Sequence, residues 1–330
     1  MPVGVVGKKT MPPLHFNLPI LEFLASHRTP LLTQFFLAVS ALGNLYTVII
    51  TLIYVAWNKK VAIRLAVLMS LTSSLNILLK LIIKNPRPFV LEGTYLKKWA
   101  VSPQAARSLA LEYSTPSGHA MAAASFYLYL FALVRNGYFR AFAIAAIVLI
   151  GFSRPYLGVH YVEDVLLGWA AGLGCSLLAV KYCTAIGRIW SRFSYPIQVG
   201  IAVVFSLVLC LLSFVINGGA LGQPSEILSD AGFLAGVLIA YPLERRLVNF
   251  DPQRSSLLAK ALRLLLTVCL FGCTSLLLTK AIAGISNMPA LPGFLLQYLR
   301  FTAEGFAVIF LAPLLFTRMG LADSAPVSAD

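Results

Sequence analysis

Three polar clusters interrupt a chain that is otherwise strongly apolar. The segment SRPYLGVHYVED, residues 153–164, carries Arg154, His160, Glu163 and Asp164. His160 and Asp164 are four residues apart, so on a helix they share a face. A carboxylate there can hold one imidazole nitrogen and aim the other outward. Glu163, three residues on, is equally within reach, and spacing does not choose between the two. The segment STPSGH, residues 114–119, offers Thr115 as a helix N-cap and Pro116 for the first helical position. The backbone N–H groups of Ser117 and Gly118 then fall among the unpaired donors of a first turn, which suits an anion. Gly118 has no side chain to keep a phosphate away, and Ser117 adds a hydroxyl donor. His119 stands beside them, able to give or take a proton. The segment KLIIKNPRP, residues 80–88, holds Lys80 and Arg87, seven residues apart, and Pro86 predicts that the preceding helix stops at Asn85.

Each cluster alone has an ordinary reading: snorkelling cations, a capped helix, a polar helix start. Together they supply Lys80, Arg87 and Arg154 as cations, a helix N-terminus as a donor array, and two histidines. That set suits phosphoryl transfer, which needs charge for the equatorial oxygens, a nucleophile on one side and a proton donor for the leaving oxygen on the other. Both histidines fit general acid and covalent chemistry. No carboxylate cluster with spacing for Mg²⁺ or Zn²⁺ is present, so neither a metal nor another cofactor is expected, and the cations must take the metal's place.

The elements that must position these residues are membrane helices. Of 330 residues, 59% are hydrophobic and 12% charged, where a soluble domain averages about 25% charged. Mean hydropathy is +0.84. About nine apolar stretches are long enough to approach a span: 36–57, 61–83, 118–134, 139–153, 161–182, 197–216, 229–243, 258–284 and 295–317. The expected fold is all-α, a polytopic transmembrane helix bundle. Residues 18–33 are expected at the membrane interface, where neither His15 nor His27 is given a role. The loop 84–117, with Tyr95, Lys97, Lys98, Trp99 and Arg107, reads as a partly amphipathic segment at the same interface. The tail ADSAPVSAD reads as disordered.

The net charge of +14 does not point to nucleic acid. Basic residues such as Lys59, Lys60, Arg64, Arg135, Arg140, Lys181, Arg188, Arg192, Arg245, Arg246 and Arg254 fall in short loops, as positive-inside bias requires. Those loops are then cytoplasmic, and the three polar clusters lie on the opposite face. Lys8, Lys9 and Arg28 run against this bias. Cys175, Cys183, Cys210, Cys269 and Cys273 read as small buried hydrophobes, and the N-terminus does not read as a cleaved signal peptide. Arg300 and Glu304, four apart in the last stretch, are expected to pair. Glu226 and Asp230 suit a helix start.

KLIIKNPRP, PSGH and SRPYLGVHYVED fill every position of K-x6-RP, PSGH and SR-x5-H-x3-D. In this the chain resembles the type 2 phosphatidic acid phosphatase (PAP2) superfamily over roughly residues 36–182. The resemblance implies a metal-independent phosphatase working through a phosphohistidine. It implies His160 as nucleophile, Asp164 rather than Glu163 as its orienting acid, and His119 as general acid. Lys80, Arg87, Ser117, Gly118 and Arg154 would hold the phosphate. It divides the chain into a core, 1–190, and a set of further transmembrane helices, 191–330. The layout is similar to the glucose-6-phosphatase and sphingosine-phosphate phosphatase branches. The expected partners are the bilayer and a lipid phosphate or diphosphate within it: phosphatidic acid, polyprenyl diphosphate, phosphatidylglycerol phosphate or a sphingoid phosphate. A soluble sugar phosphate and transfer to an acceptor other than water stay open within the enzyme class. Outside it stands a transporter or scaffold on an inactive core, which the filled signature disfavours. The expected location is the cell or inner membrane, with the site extracytoplasmic.

Overall fold

A computed structural model describes residues 17–90, 109–110, 112–217, 225–285 and 290–324. Among them the regular structure is helix, save for a lone bridge between Phe250 and Ser324. The expected loop segment around Lys97, Lys98, Trp99 and Arg107, as well as His15 and the basic N-terminal residues, lies outside the described residues.

The helices are α1 (Asn17–Ser26), α2 (Pro30–Leu42), α3 (Tyr46–Ala56), α4 (Lys59–Ile83), α5 (Gly118–Leu133), α6 (Gly137–Tyr156), α7 (Val162–Arg192), α8 (Tyr195–Ile216), α9 (Ser225–Leu247), α10 (Leu257–Ala283), α11 (Ala290–Phe306) and, after a π turn at Ala307–Leu311, α12 (Ala312–Arg318). Seven helical stretches among the described residues are long and apolar enough to cross a membrane, and eight if the bent pair α2–α3 is one span. The short apolar α5 is the remaining stretch of the nine expected from the sequence.

Two compact units emerge: residues Met1–Leu45 with Leu75–Leu178, and residues Tyr46–Ser74 with Ala179–Asp330. The first unit holds all three signature segments. Its apolar core includes Phe36, Phe89, Tyr156, Leu157 and Val159. Within it α5 and α7 approach closely. A Cβ on Gly168 would lie 2.8 Å from the Ser117 carbonyl oxygen, and one on Gly172 closer still to that of Met121. Small residues spaced four apart let two helix backbones meet in this way. The contact lays the PSGH turn against the start of α7.

In the second unit Cys210, Leu228, Ala231, Ala235 and Tyr298 form an apolar core. Arg300 Nε donates to Glu304 Oε1 at 3.0 Å, the pairing expected from the sequence. Glu226 falls in the first turn of α9, as expected, whereas Asp230 lies one turn further on. Two expectations need correction. Of the five cysteines only Cys210 is buried; Cys175 and Cys183 are partly exposed, and Cys269 and Cys273 are exposed, the last two because α10 is sparsely covered and turns apolar side chains such as Leu265, Val268 and Leu276 outward. The tail is not wholly loose: Ser324 pairs with Phe250, and Asp251 N–H donates to the Asp323 carbonyl at 2.8 Å. The rest of the tail lies outside the described residues.

Candidate active site

All three segments converge in the first unit. α4 ends at Ile83, two residues before Asn85, and Lys84 takes a positive φ of 54°. The chain turns there into a short 3-10 turn at Pro88–Val90. Asn85 ties the first segment to the second: Ser114 N–H donates to its carbonyl at 2.7 Å, and its side-chain amide donates to Thr115 Oγ1 at 2.9 Å.

The helix start differs from the sequence expectation. Ser117, not Thr115, is the N-cap of α5, with Gly118 as its first residue. Thr115 precedes a cis peptide bond to Pro116, and its hydroxyl goes to Asp164 Oδ1 rather than to the helix. The Ser117 N–H donates to the Asp164 carbonyl at 2.9 Å, so it is not one of the open donors of the first turn. The N–H groups of Gly118 and His119 have no acceptor within the helix. Asn76 on α4 donates to the Pro116 carbonyl at 3.1 Å, and a Cβ on Gly118 would lie 3.1 Å from Asn76 Oδ1. Glycine at 118 therefore answers first to crowding by Asn76.

The third segment also departs in detail. α6 runs through Pro155 to Tyr156 instead of stopping at Arg154. Pro155 removes one i→i−4 hydrogen bond and crowds the carbonyl four residues before it, in the last turn of α6, where the helix ends at the next residue. His160 sits in the turn before α7, not on it, because the helix opens at Val162. Asp164 reaches back from the first turn to the Tyr161 N–H at 2.8 Å, and the same oxygen lies 3.2 Å from His160 Nδ1. Glu163 is turned away and accepts from the Asn17 amide, which leaves Asp164 as the partner of His160.

Asp164 is fully buried and holds more than the histidine. Ser114 Oγ donates to its Oδ2 and Thr115 Oγ1 to its Oδ1. Four donors thus fix one carboxylate, which in turn fixes the imidazole. Arg87 Nη1 lies 3.0 Å from His160 Nε2 and donates to the Val159 carbonyl at 3.2 Å. A guanidinium only donates. Nε2 must therefore accept, the ring proton is assigned to Nδ1, and the Nδ1–H faces Asp164. This tautomer leaves the Nε2 lone pair pointing into the cluster of cations. Burial, then the charges of Arg87, Arg154 and Lys80, hold the His160 imidazole well below the usual histidine range. It is neutral, hence nucleophilic, at neutral pH.

Arg154 is buried at the end of α6. Its Nη1 donates to Ser40 Oγ on α2, while its Nε is buried with no partner among the described residues. The Ser117 hydroxyl is in the same condition. His119 is partly exposed, and its ring lies within electrostatic reach of Arg154, His160, Arg87 and Lys80. Each site residue expected from the sequence is therefore in one cluster. Sequence reasoning missed Ser40, Asn76, Asn85, Ser114 and Glu112. Of these, Asn85 and Ser114 adjoin signature residues, and their polarity beside apolar spans was the available signal. Ser40 and Asn76 are polar residues inside apolar stretches, which marks positions with a task. Glu112 accepts from both Lys80 and Arg87, at 3.2 and 2.8 Å.

Among the described residues no group of three or more His, Cys, Asp or Glu side chains is placed to hold a metal ion. Two buried donors among the described residues, the Ser117 hydroxyl and Arg154 Nε, are without a partner, which suits an anionic ligand.

Residues 61–188 match the model of the PAP2 superfamily, and residues 228–324 match that of the PAP2 superfamily phosphatase transmembrane extension. The chain is similar to the undecaprenyl-diphosphatase of Sulfolobus acidocaldarius, 27% identical over 170 residues, which is 50% of this chain and 78% of that protein. It is also similar to phosphatidylglycerophosphatase B of Bacillus subtilis, 44% identical over 70 residues, 18% of this chain and 34% of that protein. Among solved structures, LpxE of Aquifex aeolicus aligns with a TM-score of 0.44 at 22% identity, covering 52% of this chain and 99% of that one. A transmembrane PAP2 type phosphatidylglycerolphosphate phosphatase from Bacillus subtilis aligns at 0.41 and 25% identity, covering 52% and 86%.

Proposed function

Because the chain belongs to the PAP2 superfamily, we propose that it hydrolyses a lipid phosphate or diphosphate in its membrane through a phosphohistidine on His160. It is a multi-pass membrane phosphatase. The observation that carries the mechanism is the orientation of His160: Nδ1 is held by Asp164 and Nε2 faces Arg87.

In this reading Nε2 attacks phosphorus and the bond to the leaving oxygen breaks. His119 gives that oxygen its proton. Arg87, Lys80, Arg154 and the Ser117 hydroxyl neutralise the equatorial oxygens, and the Gly118 N–H adds a backbone donor. His119, now basic, takes a proton from water, which attacks the phosphohistidine and releases phosphate. Asp164 keeps the imidazole in one tautomer throughout and steadies its positive charge. Residues 1–190 form the catalytic core of this reading and 191–330 add transmembrane helices; the two separate family matches support that division.

The substrate is read as a lipid because the site stands at the ends of apolar helices, where a substrate whose tail stays in the bilayer can present its phosphate. The relatives' names, undecaprenyl-diphosphatase and phosphatidylglycerophosphatase B, make polyprenyl diphosphate and phosphatidylglycerol phosphate the first compounds to try. Purified protein in EDTA is expected to release phosphate from at least one lipid in a panel of these, phosphatidic acid and sphingoid phosphate. The same reaction quenched in base should trap acid-labile phosphate on the protein. Preference for a soluble sugar phosphate would overturn the lipid assignment, and activity restored only by Mg²⁺ or Zn²⁺ would overturn the cation-based mechanism.

The site is proposed to face away from the cytoplasm, since the helix ends that carry Lys59, Lys60 and Arg64, Lys181, Arg188 and Arg192, and Arg245 and Arg246 are basic and 217–228 has no Lys or Arg. The membrane is then the cell or inner membrane. A cysteine at Gln223 in a cysteine-free variant should react with an impermeant maleimide in intact cells, and one at Gln253 should not. The reverse pattern places catalysis in the cytoplasm.

A further inference from the structure

We propose that Glu112 is a resident counter-ion of the phosphate site, which occupies Lys80 and Arg87 in the free enzyme and is displaced by the substrate's phosphate. This rests on the reading of Lys80 and Arg87 as phosphate ligands. One carboxylate oxygen, Oε2, lies 2.8 Å from Arg87 Nη2 and 3.2 Å from Lys80 Nζ. The other terminal nitrogen of the same guanidinium, Nη1, is 3.0 Å from the nucleophilic His160 Nε2. The carboxylate is thus one guanidinium width from the point of attack. A phosphorus within reach of Nε2 puts its oxygens over that guanidinium, so phosphate and Glu112 compete for the same donors. Two anions cannot share them without strong repulsion in a site this buried.

Glu112 can yield. Its side chain is about one-third exposed, whereas that of Arg87 is almost fully buried. It stands on the segment just before the STPSGH turn, where its own N–H donates to the Leu109 carbonyl, so the side chain can swing without moving Ser114 or Thr115. Burial raises the Glu112 carboxyl, and Lys80 and Arg87 more than undo this, leaving it ionised below the usual carboxylate range. The resident anion has two effects. It keeps buried cations paired when no substrate is bound. It also competes with product: once the phosphohistidine is hydrolysed, the carboxylate retakes the cations and helps inorganic phosphate leave. Glu112 thereby sets how tightly the site holds small phosphate species that lack a lipid tail.

The test is inhibition of the purified full-length protein by orthovanadate and by inorganic phosphate, measured against a lipid phosphate substrate. Glu112→Gln should lower Ki for both at least about tenfold and, by slowing product release, lower kcat. Glu112→Ala, a second neutral variant, should do the same and covers the event that one of the two folds poorly. Arg87→Ala should raise both Ki values. If the Glu112 variants leave Ki unchanged or raise it while Arg87→Ala weakens binding, Glu112 stays with the bound anion and the proposal is overturned. If neither Arg87→Ala nor Lys80→Ala changes Ki, the assignment of the cations as phosphate ligands fails, and the proposal fails with it.

Discussion

Arg154 and Arg263 are both buried arginines on apolar helices, one in each unit, and their surroundings are opposite. Arg263 on α10 gives its N–H groups to backbone carbonyls: Nε to Leu321 at 2.8 Å, Nη1 to Val55 at 3.0 Å and to Pro252 at 3.2 Å. Arg154 gives one nitrogen to Ser40, and its Nε is buried without a partner among the described residues. The carboxylates repeat the contrast. Glu244 in the second unit faces Lys59 at 2.9 Å and the Phe250 N–H at 3.1 Å, a closed pair that joins α4 to α9. Asp164 is as deeply buried, but what it fixes is an imidazole whose second nitrogen faces outward from the pair. At Arg263 and Glu244 in the second unit the charge is satisfied by the fold. Charge in the first is arranged so that some donors remain for a ligand. In an apolar surrounding the unsatisfied donor is the costly state, and between these two arginines it is what separates the site residue from the staple.

Replacing the nucleophile should break this contrast most severely. His160→Gln keeps a polar side chain of similar reach but has no imidazole to carry a phosphoryl group. Turnover should fall by about 10⁴-fold or more, as loss of a covalent nucleophile does elsewhere. Trapped phosphoenzyme should vanish with it. Acid-labile, base-stable phosphate still trapped on His160→Gln would move the nucleophile to another residue.

His119→Ala should cost about 10²–10⁴-fold on an alkyl phosphate, the usual range for a general acid. The loss should shrink for a nitrophenyl ester, whose leaving oxygen needs no proton. Equal losses on both substrates, where phosphoenzyme hydrolysis limits neither, would remove His119 from that role. Arg154→Met comes next, with a loss of about 10²–10³-fold, the usual cost of one aimed charge in a dry site. Arg154→Lys should recover only part of it, since an ammonium cannot reproduce the Nη1 bond to Ser40 and an Nε donor at once.

Much of this was legible in the sequence, and the parts that were not share a cause. Hydropathy marked the spans because a bilayer admits little but helix. The signature residues were legible because their types and spacing are chemical requirements. The start of α5 was misread at Thr115: spacing shows that a Ser or Thr can cap a helix, but Thr115 had a stronger competitor in Asp164, some 49 residues on. His160 was placed on α7 for a similar reason, since an i, i+4 pair looks alike across a helical turn and across a turn that feeds one. Glu112 escaped notice because its partners, Lys80 and Arg87, are 32 and 25 residues away. Asp164 could be preferred to Glu163 only through the family resemblance. The geometry gives the physical reason, as Asn17 draws Glu163 aside.

The smallest effect on catalysis, and the sharpest test of the contrast between the units, is expected at Arg263. Its side chain is fully buried, and the carbonyls of Leu321, Val55 and Pro252 all accept from it. Arg263→Met removes those donors and leaves the carbonyls to whatever water can enter. An unsatisfied buried acceptor costs about 1–3 kcal/mol, and partial rehydration should hold the net loss to about 2–4 kcal/mol. In a chain of this size that corresponds to a thermal midpoint lower by roughly 3–6 °C. Turnover per folded molecule should stay within about twofold of the unsubstituted protein, because no Arg263 bond reaches a signature residue. The measurement is thermal unfolding of the detergent-purified variant alongside kcat normalised to the folded fraction. A variant that kept its thermal midpoint but lost turnover would show that this arginine serves the reaction, and satisfied charge would then no longer mark structure in this protein.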